Sequence, residues 1–147
     1  MEFSQFTDYS LRVLLYLAAK GEGLASVKEI SDAYSISNNH LVKVVHNLSK
    51  LGLVDTFRGR SGGITLAKSP EELVVGDLVR KTENLAILEC LPGGKGTCCI
   101  IGVCKLKTVL RQALDAFLAE LDKVTVADLI SNESDLRERL QIPEPVS

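Results

Sequence analysis

Apolar residues recur at helical spacing near the start of the chain, where Leu11, Leu14, Leu15 and Ala18 share a face and Gly21 and Gly23 interrupt the run. This pattern predicts a helix from about Asp8 to Lys20, with Thr7 as its N-cap. Ser26 and Glu29 have the spacing of a capping box, so a second, shorter helix with Ile30 and Ala33 inward is expected to stop near Tyr34. Ser37 then stands as a cap for a third helix. Leu41, Val44, Val45 and Leu48 form its apolar face, with Asn38, Asn39, Lys43, His46 and Asn47 elsewhere on the circumference. A turn of about three residues joins the second and third helices, as in a helix-turn-helix.

The period then changes. Leu53 to Phe57 and Ile64 to Ala67 read as two short strands, and the connector RGRSGG supplies glycines for a hairpin whose loop carries two arginines. After Pro70, a short helix from Leu73 to about Glu83 is expected to bury Val75, Leu78 and Val79. From Leu88 to Cys104, Pro92, Gly93, Gly94 and Gly96 break any regular pattern, and the resulting loop is long for a compact domain. Lys105 to Lys123 restores helical periodicity with an apolar band wider than one stripe, enough for one face on its own domain and another on a second copy. Thr125 caps a short helix, Val126 to Ile130, and the polar tail ending in QIPEPVS is expected to fray.

The fold class predicted is mainly α with a small β-hairpin wing: a winged helix-turn-helix followed by a long dimerisation helix. The corresponding division is residues 1–83 for DNA binding, 84–104 for a cysteine loop, and 105–147 for dimerisation and tail. Hydrophobic residues make up 46% and charged residues 24% of the 147, as in soluble globular proteins, and no apolar run approaches the roughly 20 residues that span a bilayer. Glu2 and Asp8 stand where a targeting signal carries basic residues, so a cytoplasmic location and no membrane partner are expected.

A formal net charge of −2 is unpromising for a nucleic-acid binder, but its distribution is uneven. Between Ile36 and Lys68 the basic residues Lys43, Lys50, Arg58, Arg60 and Lys68 face a single acid, Asp55. A recognition helix meets base edges with its N-terminal residues, which here are Ser37, Asn38, Asn39 and His40, with Lys43 one turn later. Asparagine can bond both N6 and N7 of adenine, and an arginine on a hairpin tip can enter a narrow minor groove. The duller reading is a set of solvated caps and an exposed turn. The order of helix-turn-helix, basic excess and arginine-tipped wing favours double-stranded DNA as partner, with Lys28 on the preceding helix as a further contact.

Cys90, Cys98, Cys99 and Cys104 lie within 15 residues. Clustering of this kind in a cytosolic chain reads first as a metal site, because structural disulfides are disfavoured there. The spacing lacks the paired knuckles of common zinc sites. Three soft thiolates, Cys90, Cys98 and Cys104, suit an iron-sulfur cluster with a fourth ligand from elsewhere, a carboxylate being a candidate. Adjacent cysteines rarely bind one cluster alike, so one of Cys98 and Cys99 is a bystander. A thiol-redox switch without metal is the competing use of these residues. Catalysis is not expected: neither histidine lies near the cysteines in sequence, and no glycine-rich phosphate loop or nucleophile-base arrangement is present.

The segments FTDYSLRVLLYLA, YSISNNHLVKVVHNLSKLGLVDTFRGRSGGITLA, VGDLVRKTE and LDKVTVADL, with the cysteine loop between them, resemble the Rrf family of bacterial winged-helix regulators over nearly the whole chain. The resemblance implies homodimers that bind palindromic operators and lose DNA affinity when a cluster reacts. Within the family the likeness is to a nitric-oxide-sensing subgroup of repressors. That implies a 4Fe-4S cluster, with 2Fe-2S as the alternative, on three cysteines and an aspartate near the N-terminus of the partner subunit. Asp8 occupies that position, its duller role being a helix-dipole acid. Arg12, one turn on, either orients Asp8 or makes a surface ion pair with it. Family members that regulate iron-sulfur assembly carry a histidine three residues after the last cysteine; here Lys107 stands there, a poor ligand.

Overall fold

The structure is a computed structural model and describes residues 1–144. Helix α1 (Gln5–Lys20) begins three residues earlier than its periodicity suggests. Ser4, not Thr7, is the N-cap, its hydroxyl accepting the Thr7 N–H at 3.2 Å, and Thr7 is wholly buried. Val13, Tyr16, Leu17 and Ala19 join Leu14 and Ala18 in the core, so α1 is the central helix of the molecule. Gly21 ends it at φ 75°, a conformation that a side chain disfavours.

Helix α2 (Val27–Tyr34) carries the expected capping box, in which Ser26 accepts from the Glu29 N–H while Glu29 accepts from the Ser26 N–H. Ser35 turns the chain through the left-handed region, and the buried Ser31 hydroxyl donates to the Ile36 carbonyl at 2.5 Å, closing the turn into α3 (Asn38–Lys50). Leu41, Val44, Val45 and Leu48 are all buried, as the 3.6-residue pattern requires. Strands β1 (Val54–Phe57) and β2 (Gly63–Leu66) pair antiparallel, Val54 opposite Leu66 and Phe57 opposite Gly63. Ile64 also exchanges both backbone hydrogen bonds with Ala25, at 2.8 and 3.0 Å, which fastens the hairpin to the α1–α2 connection. Gly63 permits that approach, because a Cβ there would lie 2.8 Å from the Ala25 carbonyl oxygen.

A short 3₁₀ turn (Pro70–Glu72) precedes α4 (Val75–Thr82). Leu73 is not helical; its carbonyl accepts the Val126 N–H at 2.8 Å, while Val75 donates to Val124 at 2.9 Å. The chain from Glu83 to Cys104 contains turns but no helix or strand. Helix α5 (Lys105–Leu121) follows, then α6 (Val126–Leu129) and α7 (Glu133–Arg139).

One main core joins α1, α2, α3 and the hairpin to Leu73, Leu78, Val126, Leu140 and Ile142. A smaller cluster of Val75, Val79 and Leu118, flanked by Leu85, Leu114, Leu121 and Val124, seats α5 on α4. The expected fraying of the tail does not extend through its first residues: Leu140 and Ile142 are buried, and Arg137 donates to the carbonyls of Ala19, Lys20 and Pro143. Pro145 to Ser147 lie outside the described residues. No helix among the described residues is long and apolar enough to cross a membrane.

Candidate nucleic-acid interface and cysteine loop

Burial of one side of α3 turns the other to solvent, and Ser37, Asn38, Asn39, His40, Lys43, His46 and Asn47 are all exposed. Ser37 stands at the N-cap position but makes no capping hydrogen bond, contrary to the capping role its position suggests. Val42 is exposed on the same outward surface. Apolar residues at non-core positions of a recognition helix can meet the methyl group of thymine. Its signal in the sequence was an aliphatic residue outside the Leu41, Val44, Val45 and Leu48 face.

Arg58 and Arg60 are exposed on the hairpin connection, and neither enters an ion pair among the described residues. The connection is tight: a Cβ on Gly62 would collide with the Phe57 carbonyl oxygen, and Gly62 donates to the Gly59 carbonyl at 3.1 Å. Lys28 on α2 is also exposed, but its ammonium is engaged by Asp32 at 2.9 Å. Of the DNA-contact candidates, only Lys28 is in an ion pair among the described residues.

Asp8 lies in the first turn of α1, where the macrodipole favours an acid. Arg12 grips it with two parallel bonds, Nε to Oδ1 at 2.9 Å and an Nη to Oδ2 at 3.0 Å, so the carboxylate has one fixed orientation. The guanidinium lies over the rings of Tyr9 and Tyr34, 5.8 and 5.7 Å from their centroids. The Tyr34 hydroxyl donates to the Arg12 carbonyl at 3.0 Å, and burial pushes that phenol up to about 12 against the opposing influence of Arg12. Tyr9 in turn approaches His40, the two rings 6.4 Å apart. The aromatic residues link Asp8 and Arg12 to the start of the recognition helix, a connection that helical periodicity does not disclose.

All four cysteines are free thiols. Cys90, Cys98 and Cys104 are half-buried, and Cys99 is exposed. Leu91 is the loop's buried anchor, and the backbone closes on itself where Gly94 approaches Glu89 too closely for any side chain. Cys104 directly precedes α5. Among the described residues, no three His, Cys, Asp or Glu side chains of this single chain are gathered closely enough to hold a metal ion. The donor set itself suits an iron-sulfur cluster: three unbonded thiols of similar burial share one loop built of turns.

This combination of exposed recognition helix, arginine-tipped hairpin, clustered thiols and long C-terminal helix defines a class, and the chain belongs to the Rrf2 family, described as iron-dependent transcriptional regulators, whose model matches residues 3–132. It is 52% identical over 143 residues to the HTH-type transcriptional regulator NsrR of Shouchella clausii (strain KSM-K16), covering 96% of each chain. It is 49% identical over 146 residues to NsrR of Bacillus subtilis (strain 168), covering 98% of this chain and all of that one. Among solved structures it resembles T. potens IscR, with a TM-score of 0.74, 27% identity and coverage of 93% of this chain and 91% of that one. CymR, the global cysteine regulator of B. subtilis, is similar with a TM-score of 0.70 and 28% identity, over 90% of this chain and 98% of that one.

Proposed function

We propose that the chain is a homodimeric transcriptional repressor that binds operator DNA and is switched by nitric oxide acting at an iron-sulfur cluster. Cys90, Cys98 and Cys104 of one protomer hold the cluster, with Asp8 of the partner subunit as the fourth ligand. The observation that carries this reading is the contrast within the loop, where three thiols are unbonded and half-buried while Cys99 alone is exposed. The similarity to NsrR proteins supports it.

When bound, the cluster supplies iron that reacts with nitric oxide and carries a carboxylate as its most displaceable ligand. The rest is the work of the protein's own side chains. Arg12 keeps Asp8 aimed, the paired tyrosines keep Arg12 in place, and Tyr9 relates that turn to His40. Two recognition helices must match half-sites about one helical turn apart, so a change at Asp8 that moved one subunit against the other would undock one of them. Ser37, Asn38, Asn39, His40 and Lys43 meet the major groove, with Val42 against a thymine methyl. Arg58 and Arg60 enter the minor groove, and Lys28 exchanges Asp32 for a phosphate. Leu106, Val109, Ala113 and Phe117, exposed along α5, form the seam with the second copy.

The test is titration of nitric oxide into the anaerobic iron-loaded protein bound to an operator fragment. Affinity should fall as the cluster is consumed, and unchanged affinity would refute the switch. Alanine in place of Cys90, Cys98 or Cys104 should give a colourless protein, whereas Cys99→Ala should remain brown.

A further inference from the structure

Glu83, the first residue after α4, reaches back across 79 positions to the start of the chain. One carboxylate oxygen accepts the Ser4 N–H at 2.7 Å, and the other accepts the Asn84 N–H at 3.1 Å. Desolvation raises the carboxyl's pKa, but the hydrogen bonds from the Ser4 backbone, the Thr7 and Ser4 hydroxyls and the Asn84 backbone outweigh it and hold Glu83 below the usual range. A carboxylate placed at the start of a 16-residue helix also meets the positive end of its dipole.

The two ends of this bond are both close to the cysteine and aspartate ligands in sequence. Ser4 begins the turn that carries Asp8, whose own N–H bonds the Ser4 carbonyl at 3.0 Å. Glu83 begins the segment that leads through Leu85, packed in the small core, to Cys90. We propose that Glu83 is a positioning residue of the cluster site, tying the Asp8-bearing turn of α1 to the root of the thiol loop in the same chain. This rests on the reading that Asp8 serves the partner's cluster. On that reading, each protomer's loop and its own Asp8 belong to different clusters, and Glu83 makes the two clusters one mechanical unit.

The test uses the full-length protein in four variants. Glu83→Ala removes the acceptor and Glu83→Gln keeps one. Ser4→Pro removes the donor N–H at a backbone φ of −58° that proline adopts freely, and Ser4→Ala removes the hydroxyl, with its cap on Thr7 and its bond to Glu83, but leaves that N–H. In cluster-free protein, amides in the first turn of α1 should exchange about ten- to a hundredfold faster in Glu83→Ala than in wild type, while those of α3 do not change. Ser4→Pro should exceed Ser4→Ala, and Glu83→Gln should restore most of the protection. In anaerobic iron-loaded protein, Glu83→Ala and Ser4→Pro should alter the visible circular dichroism of the cluster and speed iron release to a chelator, again with rescue by Glu83→Gln. If Glu83→Ala does not fold, the difference between Ser4→Pro and Ser4→Ala is decisive. Wild-type exchange in the variants, or faster exchange with unchanged cluster spectrum and iron release, overturns the role of Glu83. A wild-type protein that binds no iron overturns the cluster reading and the role of Glu83 together, so the two failures are distinguishable.

Discussion

Replacing Val109 by glutamate tests the assembly on which the proposed switch depends. Along α5, Leu106 is 56% and Val109 58% exposed on the helix side away from Leu118, which is packed on α4, while Phe117, 37% exposed, flanks that stripe and meets Phe3 edge-on. Complete burial of such a side chain stabilises by about 1.5–3 kcal/mol, so covering the uncovered half of Val109 contributes roughly 1 kcal/mol per protomer. Two-fold symmetry doubles that figure to about 2 kcal/mol, and each introduced carboxylate must also leave water beside its symmetry mate. A loss of at least about 3 kcal/mol raises the dimer Kd more than about a hundredfold. Sedimentation velocity over a dilution series measures it, with Thr108→Glu as control, since Thr108 adds the same charge on the side away from the stripe. A Val109→Glu protein that dimerises like wild type would show that α5 is not the seam. Equal losses in both variants would show a net-charge effect.

Three further outcomes are expected. Arg58→Ala and Arg60→Ala should each weaken operator binding by about 1–3 kcal/mol in fluorescence anisotropy, and no change in either would place the wing off the DNA. Arg137→Ala removes three charge-assisted bonds, two of them to the last carbonyls of α1. It should lower stability in urea by about 3 kcal/mol, with Arg137→Lys recovering only part because an ammonium cannot span the same carbonyls; an unchanged midpoint would contradict this. The two hydrogen bonds from Arg80, at 2.5 and 2.8 Å, hold Asp122 below its ordinary value of 3.8. Its stabilising contribution is therefore complete above that ordinary value and disappears as pH falls through the lower folded one. Asp122→Asn should be less stable than wild type near neutrality and converge with it in acid, and a constant gap in urea midpoints down to about pH 2 would refute the linkage.

The elements that were legible in the sequence are those whose signals are local. The apolar face of α3, the Ser26 and Glu29 capping box and the glycine-rich hairpin each depend on residues a few positions apart, and each stands in the structure as read. The start of α1 was misplaced because Thr7 has the chemistry of a cap, and only burial against the rest of the molecule shows that it lies inside the helix. The tail looked free to fray because its composition is polar, while Leu140 and Ile142 find their partners over a hundred residues away. Within the candidate site, thiol clustering is a local signal, but the role proposed for Asp8 rests on family likeness alone. The setting of Arg12 between Tyr9 and Tyr34, and the bond from Ser4 to Glu83, are long-range contacts with no periodic trace.

The placement of Val126, Leu140 and Ile142 in the same core as α1, α2 and α3 bears on how the protein is made. A ribosome delivers the recognition helix first, the four thiols next, and only then the residues that complete the packing around α1. While translation is under way, the DNA-reading half is short of part of its interior and the cysteines have already emerged. Packing around α1 is therefore finished only when Leu140 and Ile142 have been made, after both the recognition helix and the cysteine segment have left the ribosome.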